Sequence, residues 1–337
     1  HEPPKELLAQ VASDGFLGLM VPEAYGGAGQ GMMEMALFME GLSNNGIPLL
    51  SLVVNSTMSL ALIAMHGTEE QKQKYLPAAC RGEIKFCFAI TEPDAGSNTM
   101  EITSIARRDG KGFKLNGQKT YITDADSADY ALVVSRTKPH GEVSRKTDGF
   151  TLFSIPMPES QWQVFFDDVE LTEADALGTV DEGFKILFDT LNPERIILSS
   201  LCVGVGRFAL RKAVAYANER KVFNKVPIGA YQGLQHPLAV AYSEIEMAGL
   251  MTHKAAWAFD NRLPAGEFAN MAKYAAAEAG IHAVDASLQC FGGNGFTKEY
   301  GIFDLYPVVR LLRTAPLNRE MVLNYIGEKV MGPPRSY

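Results

Sequence analysis

The 337-residue sequence lacks the features that mark nucleic-acid-binding, membrane-spanning and disulfide-stabilised proteins. Its net charge is −8 and no Lys/Arg-rich run forms a basic stripe, so we predict no nucleic-acid partner. Apolar runs are interrupted by polar residues before they reach membrane-spanning length, so we predict no transmembrane segment. A hydrophobic content of 47% with 21% charged residues is instead typical of a protein with a large core.

Cysteine and histidine are too scarce and too scattered to form a recognisable site. The four cysteines have no C-x-x-C spacing and predict buried free thiols in a reducing compartment. That compartment would be the cytoplasm, or the mitochondrial matrix if the source is eukaryotic. The six histidines predict no metal site. Ahead of the first helical pattern there is neither a basic nor an apolar signal segment, which we interpret as a trimmed chain without targeting information.

Helical and strand patterns alternate along the chain and predict three domains of an α+β protein. Residues 1–85 have the apolar spacing of helices. Residues 86–175 contain six short β-type runs separated by turn residues, which predict a β-barrel domain. Residues 176–337 contain long, largely apolar helices in series, which predict an antiparallel four-helix bundle.

Two local motifs predict where individual elements turn or begin. The Asn116-Gly117 pair predicts a two-residue β-hairpin turn. Asn192 and Pro193 predict the N-cap and the first position of a long buried helix. That start would place the Glu194 carboxylate in the first turn of a helix whose following residues are largely apolar.

Glycine-rich segments do not predict a familiar nucleotide site. "YGGAGQG" and "FGGNGF" fit neither G-x-G-x-x-G nor the P-loop pattern, and "FGGNGF" is typical of a turn that ends a helix. The segment "FAITEPDAGSN" is different, because it leaves a strand and carries hydroxyls at Thr91 and Ser97. Such a loop offers N–H groups and hydroxyls to a polar, anionic or heteroaromatic ligand, although a plain β-turn is the alternative.

Four motifs in this order resemble those of the acyl-CoA dehydrogenase family. They are "FAITEPDAGSN", "NGQKTYIT", "ERKVF" with Gln232 nine residues on, and "LQCFGGNGFTKEY". The likeness covers the whole chain and implies the same helical–β–helical architecture. It also implies FAD held between the β-domain and the bundle, an acyl-CoA substrate, an electron-transfer flavoprotein as acceptor, and a homo-oligomer (a tetramer or dimer).

The resemblance carries FAD contacts onto individual positions. The loop from Phe88 to Ser97 would line the flavin, with Thr91 hydrogen-bonded to its ring and Ser97 also touching the acyl-CoA. Tyr121 stands where the family commonly has Trp, and Thr123 would face the N5 edge. The remaining cofactor residues, several of which would reach the FAD of a neighbouring subunit, are Arg220, Phe223, Gln232, Gln289 and Gly293.

The catalytic base is not at the family's usual position. In most members a Glu follows the last glycine motif, and that position falls on Pro316, which cannot take a proton; nearby Glu320 matches another position and is interpreted as structural. Isovaleryl-CoA and long-chain acyl-CoA dehydrogenases instead place the base in a Glu-Arg pair on another helix. That pair falls on Glu194 and Arg195, so the resemblance implies that Glu194 is the base and that Arg195 orients the substrate. A helix-capping Glu paired to Arg195 is the alternative.

The sequence departs from the family in three further places. We expect that a strand and loop are missing between about Ser160 and Trp162, that one residue is inserted in "FNKVPIGAYQ", where the family usually has Gly after Phe223, and that the family's first helix is missing ahead of His1. The small and apolar helix at 51–60, with Val54 near its end, is expected to form the floor of the acyl cavity. It favours an unsubstituted or branched aliphatic chain.

Two other functions remain open at this stage. Relatives with the same Glu-Arg placement include enoyl-CoA reductases, which run the reaction in the reverse direction. Pro316 also fits a catalytically inactive subunit of a heteromeric acyl-CoA dehydrogenase complex.

Overall fold

The chain folds into two compact units in a computed structural model that describes residues 5–157, 164–223 and 225–334. The first unit comprises the residues up to Gly31 together with Leu50–Leu191. The second comprises Met32–Leu49 and the chain from Asn192 onward. The element order is helical, then β, then helical, which confirms the predicted α+β class.

Helices occupy both ends of the chain. The α-helices are α1 (Lys5–Ser13), α2 (Met32–Asn44), α3 (Leu50–Leu52), α4 (Ala61–His66), α5 (Glu69–Cys80), α6 (Gly183–Glu219), α7 (Gln232–Asp260), α8 (Gly266–Phe291), α9 (Leu305–Thr314) and α10 (Arg319–Tyr325). A π-helical segment, Val53–Leu60, joins α3 to α4, and a second, Ile326–Met331, follows α10.

The β-domain of the first unit is one seven-stranded sheet. Its strands are β1 (Phe86–Ala89), β2 (Ile105–Asp109), β3 (Gly112–Lys119), β4 (Tyr130–Arg136), β5 (Phe150–Pro156), β6 (Val164–Thr172) and β7 (Ala176–Leu177). The strand order is β6-β3-β2-β4-β5-β7, and β1 pairs in parallel with β4. A two-stranded ladder, β8 (Lys221–Val222) with β9 (Val226–Pro227), belongs to the second unit.

The first unit has a core that joins its helices to its sheet. Leu62 and Leu76 from the helices pack in one buried cluster with Phe86, Phe150 and Leu177 from the strands. β4 and β5 are buried along nearly their whole length, whereas β3 has buried and partly buried positions and β6 has buried and exposed ones. β1 is buried at all four of its residues and pairs with β4, so the loop that follows β1 starts in a buried part of the sheet.

The hairpin predicted at Asn116-Gly117 is wrong. This pair lies inside β3, where the register against β6 shifts between Leu115 and Gly117. A Cβ at Gly117 would lie 2.3 Å from the Ser104 hydroxyl oxygen, so the glycine is needed for close packing at a bulge. The turn between β2 and β3 instead contains Gly110, whose φ is +59°.

The helix start predicted at Asn192 and Pro193 is also wrong. α6 begins at Gly183 and runs through both residues to Glu219. A proline inside a helix removes one N–H donor and disfavours the preceding turn. Here Ile186 before it and Ile196 after it are both buried, so tertiary packing outweighs the local break signal.

In the second unit, α2 packs closely against α6. A Cβ at Gly204 would lie 2.5 Å from the Glu40 carbonyl oxygen, so only glycine permits this approach. The Asp260 carboxylate at the end of α7 accepts the N–H groups that begin α2, at 2.7 and 2.9 Å. Arg207 of α6 binds both Glu40 of α2 and Glu246 of α7.

Gly204→Ala should therefore destabilise the second unit, because the added methyl group clashes with a backbone carbonyl. We expect the free energy of unfolding to fall by about 1–3 kcal/mol, measured by urea denaturation. Gly41→Ala on α2 is the matched control, since a Cβ there meets nothing within 4 Å. The control should stabilise the protein by about 0.5–1 kcal/mol through helix propensity, and equal effects of the two changes would contradict the packing argument.

Candidate active site

The structure brings together two of the segments predicted to line the flavin. The Thr91 carbonyl oxygen accepts the Thr120 N–H at 2.9 Å, which holds the loop after β1 beside the loop after β3. Thr91 and Thr123 are partly exposed there, and Ser97 is exposed. Phe88 is buried in β1 beneath them.

Tyr121 presents an unpacked aromatic ring at the same place. Its side chain is 88% exposed, and its φ of +57° is a strained value for a residue with a side chain. Asp124 has a φ of +63° in the same loop. Backbone strain of this kind concentrates at ligand sites, so the loop has the character of a binding surface rather than of a simple turn.

A buried ion pair that the sequence analysis missed anchors these loops. Glu92, one residue after Thr91, accepts Lys119 Nζ at 2.9 Å, and the two side chains are 4% and 0% exposed. Glu92 also accepts the N–H groups of Thr103 and Ser104. Lys119 Nζ donates in addition to the Ile90 carbonyl oxygen at 2.9 Å, so one ammonium joins the end of β3 to the loop after β1.

Both members of this pair are charged at neutral pH. Burial alone would raise the pKa of Glu92, but Lys119 and the N–H donors outweigh it and lower that pKa to about 2. Burial lowers the pKa of Lys119 to about 8 despite its partner. No local pattern marks a single strand lysine as buried, which is why the sequence did not reveal it.

The cofactor residues predicted for the second unit lie at one end of the helical unit. α6 and α8 run in the same direction there. Gly280 of α8 lies beside Cys202 of α6, since a Cβ at Gly280 would lie 3.4 Å from Cys202. Further along both helices, the Cys290 thiol of α8 donates to the Ala213 carbonyl oxygen of α6. The C-terminal ends of the two helices therefore meet. The residues at or next to these ends are Arg220, Phe223, Gln289 and Gly293.

These side chains face solvent within their own unit. Phe223 is 83% exposed with a φ of +30°, and Arg220 and Gln289 are exposed. A Cβ at Gly293 would meet nothing within 4 Å. Gln232 is the exposed first residue of α7.

Glu194 lies toward the other end of the same unit. Its carboxylate is partly buried on α6 and has no hydrogen-bond or ion-pair partner among the described residues. Burial raises its pKa to about 7, against the lowering effect of the positive Arg195 and Lys273. Arg195 donates through Nη1 to the Asn192 side chain at 3.2 Å, while its Nε has no partner in the described part of the chain.

Pro316, Glu320 and Val54 are the other residues that the sequence analysis considered for the substrate site. Pro316 follows α9, and Glu320 in the first turn of α10 is 70% exposed and 3.5 Å from Arg319. Val54 lies in the first π-helical segment, partly buried against the core of the first unit. The predicted departure between Ser160 and Trp162 falls at residues outside the described ranges. The segment 223–232, predicted to carry one inserted residue, is described except at residue 224 and contains β9, and the insertion stays a prediction.

The cysteines and the possible metal-binding and membrane-spanning segments can be compared with the sequence predictions. All four cysteines are buried free thiols, which confirms that prediction. Among the described residues, no group of three or more His, Cys, Asp or Glu side chains has the arrangement of a metal site. No helix in the same ranges is long and apolar enough to cross a membrane.

Comparison with known proteins defines the class. Models of the acyl-CoA dehydrogenase N-terminal, middle and C-terminal domains match residues 1–83, 87–174 and 181–331. The chain therefore belongs to the acyl-CoA dehydrogenase family, as its motifs suggested.

Individual relatives agree with this class. The acyl-CoA dehydrogenase FadE12 of Mycobacterium tuberculosis is 47% identical over 100% of this chain and 90% of its own length. The caffeyl-CoA reductase-Etf complex subunit CarC of Acetobacterium woodii is 31% identical over 90% of this chain and 83% of its own. A solved FAD complex of PigA has a TM-score of 0.89 at 25% identity and covers 97% of this chain and 89% of that one. The protein is an acyl-CoA dehydrogenase, and its cofactor is FAD.

The residues of each unit fit this cofactor. In the first unit, the exposed Tyr121 ring and the hydroxyls of Thr91 and Thr123 offer a stacking surface and hydrogen bonds to a heteroaromatic ring. In the second unit, the exposed Arg220 guanidinium suits a pyrophosphate. The open backbone at Gly293 permits close approach of a ligand.

Lys119→Met should destabilise the two loops predicted to line the flavin, because it leaves Glu92 buried without its cation. We expect a loss of about 3–5 kcal/mol in the free energy of unfolding and a lower FAD content after purification. Lys114→Met on the same strand removes an exposed ion pair with Asp109, in which both side chains are more than 40% exposed. That control should change stability by less than about 1 kcal/mol. An equally mild Lys119→Met would contradict the anchoring role.

Proposed function

We propose that this acyl-CoA dehydrogenase oxidises an acyl-CoA between its α and β carbons, with Glu194 as the base that removes the α-proton. The observation that carries the proposal is the Glu194 carboxylate, which is partly buried, has no partner among the described residues and has its pKa raised by burial to about 7. A general base works best when its pKa is near the operating pH. FAD, when bound, supplies the acceptor for the β-hydride.

The neighbouring side chains support this role. Arg195 is held by Asn192 through one nitrogen, and its Nε has no partner among the described residues, so Arg195 is available to orient the substrate. The other two candidates are poor bases: Pro316 has no acidic group, and Glu320 is exposed and close to Arg319. Glu194 is thus the carboxylate with the chemistry that proton abstraction needs.

The cofactor and substrate contacts are part of the same proposal. Thr91 and Tyr121 meet the flavin ring, Thr123 faces its N5 edge, and Ser97 touches both flavin and acyl-CoA. The residues proposed to contact FAD further are Phe88, Arg220, Phe223, Gln232, Gln289 and Gly293. Val54, with its small and apolar neighbours, supports an unsubstituted or branched aliphatic acyl group.

One of the relatives bears on the direction of the reaction and on the redox partner. CarC is named as a subunit of a reductase complex with Etf, and it is 31% identical to this chain. This supports an electron-transfer flavoprotein as the acceptor here. It also favours enoyl-CoA reduction as the second candidate activity. In that case an enoyl-CoA would reoxidise the reduced flavin faster than any acyl-CoA reduces the oxidised flavin.

Glu194→Gln should abolish substrate-driven flavin reduction, because the amide cannot take the α-proton. We expect the bleaching rate with acyl-CoAs of varied length and branching to fall by about 10²–10⁴-fold, followed anaerobically in the visible spectrum. The variant should retain its FAD, since Glu194 lies on α6 and not in the flavin-lining loops.

Glu320→Gln is the control for this experiment and should keep most of the wild-type rate. Stability provides a second control: the folded pKa of Glu194 lies above its usual value of 4.5. Ionisation therefore destabilises the folded state as pH rises through about 7, and Glu194→Gln should melt no lower than the wild type at pH 8. If the flavin of Glu194→Gln is bleached at the wild-type rate, Glu194 is not the base. If none of the acyl-CoAs bleaches the flavin of the wild type, an inactive subunit becomes the better interpretation.

A homo-oligomer completes the proposal. Glu194 and Arg220 are separated along α6 by about 39 Å at ~1.5 Å per residue, so they would serve different cofactors. α7 also presents an apolar stripe, with Val240, Met247, Leu250 and Trp257 each at least 50% exposed. Large exposed apolar surfaces of this kind are typical of protein interfaces.

Leu250→Glu should break the oligomer, because it places a charge in the middle of the α7 stripe. We expect a shift from tetramer or dimer to a smaller species, measured by light scattering after size-exclusion chromatography. Leu263→Glu is the matched control, since Leu263 is also exposed (45%) but follows the end of α7. A monomeric wild type, or an unchanged mass for Leu250→Glu, would contradict the proposed interface.

A further inference from the structure

Lys273 lies on the stretch of α8 that packs beside the first part of α6 in the second unit. A Cβ at Gly266 would lie 3.9 Å from the Asn192 side-chain amide, and a Cβ at Gly280 would lie 3.4 Å from the Cys202 Cβ. Lys273 is midway between these two glycines on α8. The α6 segment that faces it therefore lies between Asn192 and Cys202, which is where the proposed base is found.

The ammonium of Lys273 is buried without a partner. The side chain belongs to a residue that is 3% exposed, and its Nζ makes no hydrogen bond within the described part of the chain. Removing an ammonium from water without pairing it is strongly unfavourable. Groups that cost stability in this way are concentrated at functional sites, where their charge is used.

Five charged or titratable side chains interact electrostatically with this ammonium or are part of the proposed base and its neighbours. They are Glu194, Arg195 and Cys202 on α6, Glu278 on α8 and Glu320 on α10.

Most of these groups are already neutral or paired. Burial raises the pKa of the Cys202 thiol to about 12, so it is neutral. Glu278 pairs with Arg313 and Arg319, and Glu320 is exposed. Glu194 is the carboxylate of this group that has no ion-pair partner among the described residues, and the positive charges of Arg195 and Lys273 lower its pKa.

We propose that Lys273 is a positioning residue whose buried ammonium holds Glu194 in its ionised, proton-accepting form at neutral pH. The inference rests on the proposed function of Glu194. A nearby positive charge favours the ionised form of a carboxyl group and lowers its pKa. Burial lowers the pKa of Lys273 itself to about 8, so the ammonium is present at the pH where Glu194 must be ionised.

The first test is the pH dependence of substrate-driven flavin reduction in the FAD-loaded enzyme. Activity requires ionised Glu194, so the wild-type rate should fall as pH drops through about 7. In Lys273→Met the acid limb should move to higher pH by about one unit, with a rate about fivefold lower at pH 7. At about pH 9 the two rates should converge, because Glu194 is then ionised in both. Lys273→Arg keeps the charge and should leave the acid limb near its wild-type position.

A second readout does not depend on turnover. Infrared difference spectra of the resting enzyme, with Glu194→Gln identifying the band, should show the Glu194 carboxyl titrating at higher pH in Lys273→Met. Lys273→Gln also removes the charge and should behave as Lys273→Met does, so either variant that folds decides the question. A purely structural lysine would change the melting temperature and leave both titrations unmoved, and that result would overturn the proposal. Failure of the base assignment is separate, because Glu194→Gln would then keep its rate whatever the Lys273 variants do.

Discussion

The close parallel approach of α6 and α8 is the constraint on which the second unit and its proposed chemistry depend. A Cβ at Gly206 of α6 would lie 3.4 Å from the Ala283 Cβ of α8, and one at Gly280 of α8 would lie 3.4 Å from the Cys202 Cβ of α6, so glycine helps to set the spacing. One end of this helix pair presents Arg220, and Glu194 lies toward the other. Because helices are stiff and their packing is dense, the contacts that build the core also set the distance between base and cofactor residues.

Buried charge is used in two different ways in this protein. In the first unit, Glu92 and Lys119 neutralise each other and are further satisfied by backbone groups, so the pair anchors two loops. In the second unit, Glu194 and Lys273 have no direct partners in the described residues. The low dielectric of the interior strengthens the interactions of both pairs of charges. Only Glu194 and Lys273, which lack direct hydrogen-bond partners among the described residues, remain available for proton chemistry.

Local patterns predicted the order of elements better than their ends. The α+β class and the loop after β1 followed from periodicity and from the family motifs, and the structure confirms both. The hairpin at Asn116-Gly117 and the helix start at Pro193 were wrong, although each dipeptide has a strong local preference. In the first case Ser104, the residue before β2, packs so closely that position 117 must be glycine. In the second case the helix continues because residues on both sides of the proline are buried. Neither contact is visible within a few residues of the dipeptide.

The sequence by itself determined the helical and strand segments, the family and the positions that carry its motifs, because backbone stereochemistry and side-chain spacing act over short distances. It also singled out Glu194 once Pro316 was found at the usual position of the base. Only the tertiary structure decided which charges are buried and which of them are paired. Lys119 and Lys273 look alike in the sequence, but Lys119 has a carboxylate oxygen at 2.9 Å and Lys273 Nζ has no hydrogen-bond partner in the described part of the chain. Pairing depends on distances between residues far apart in the chain.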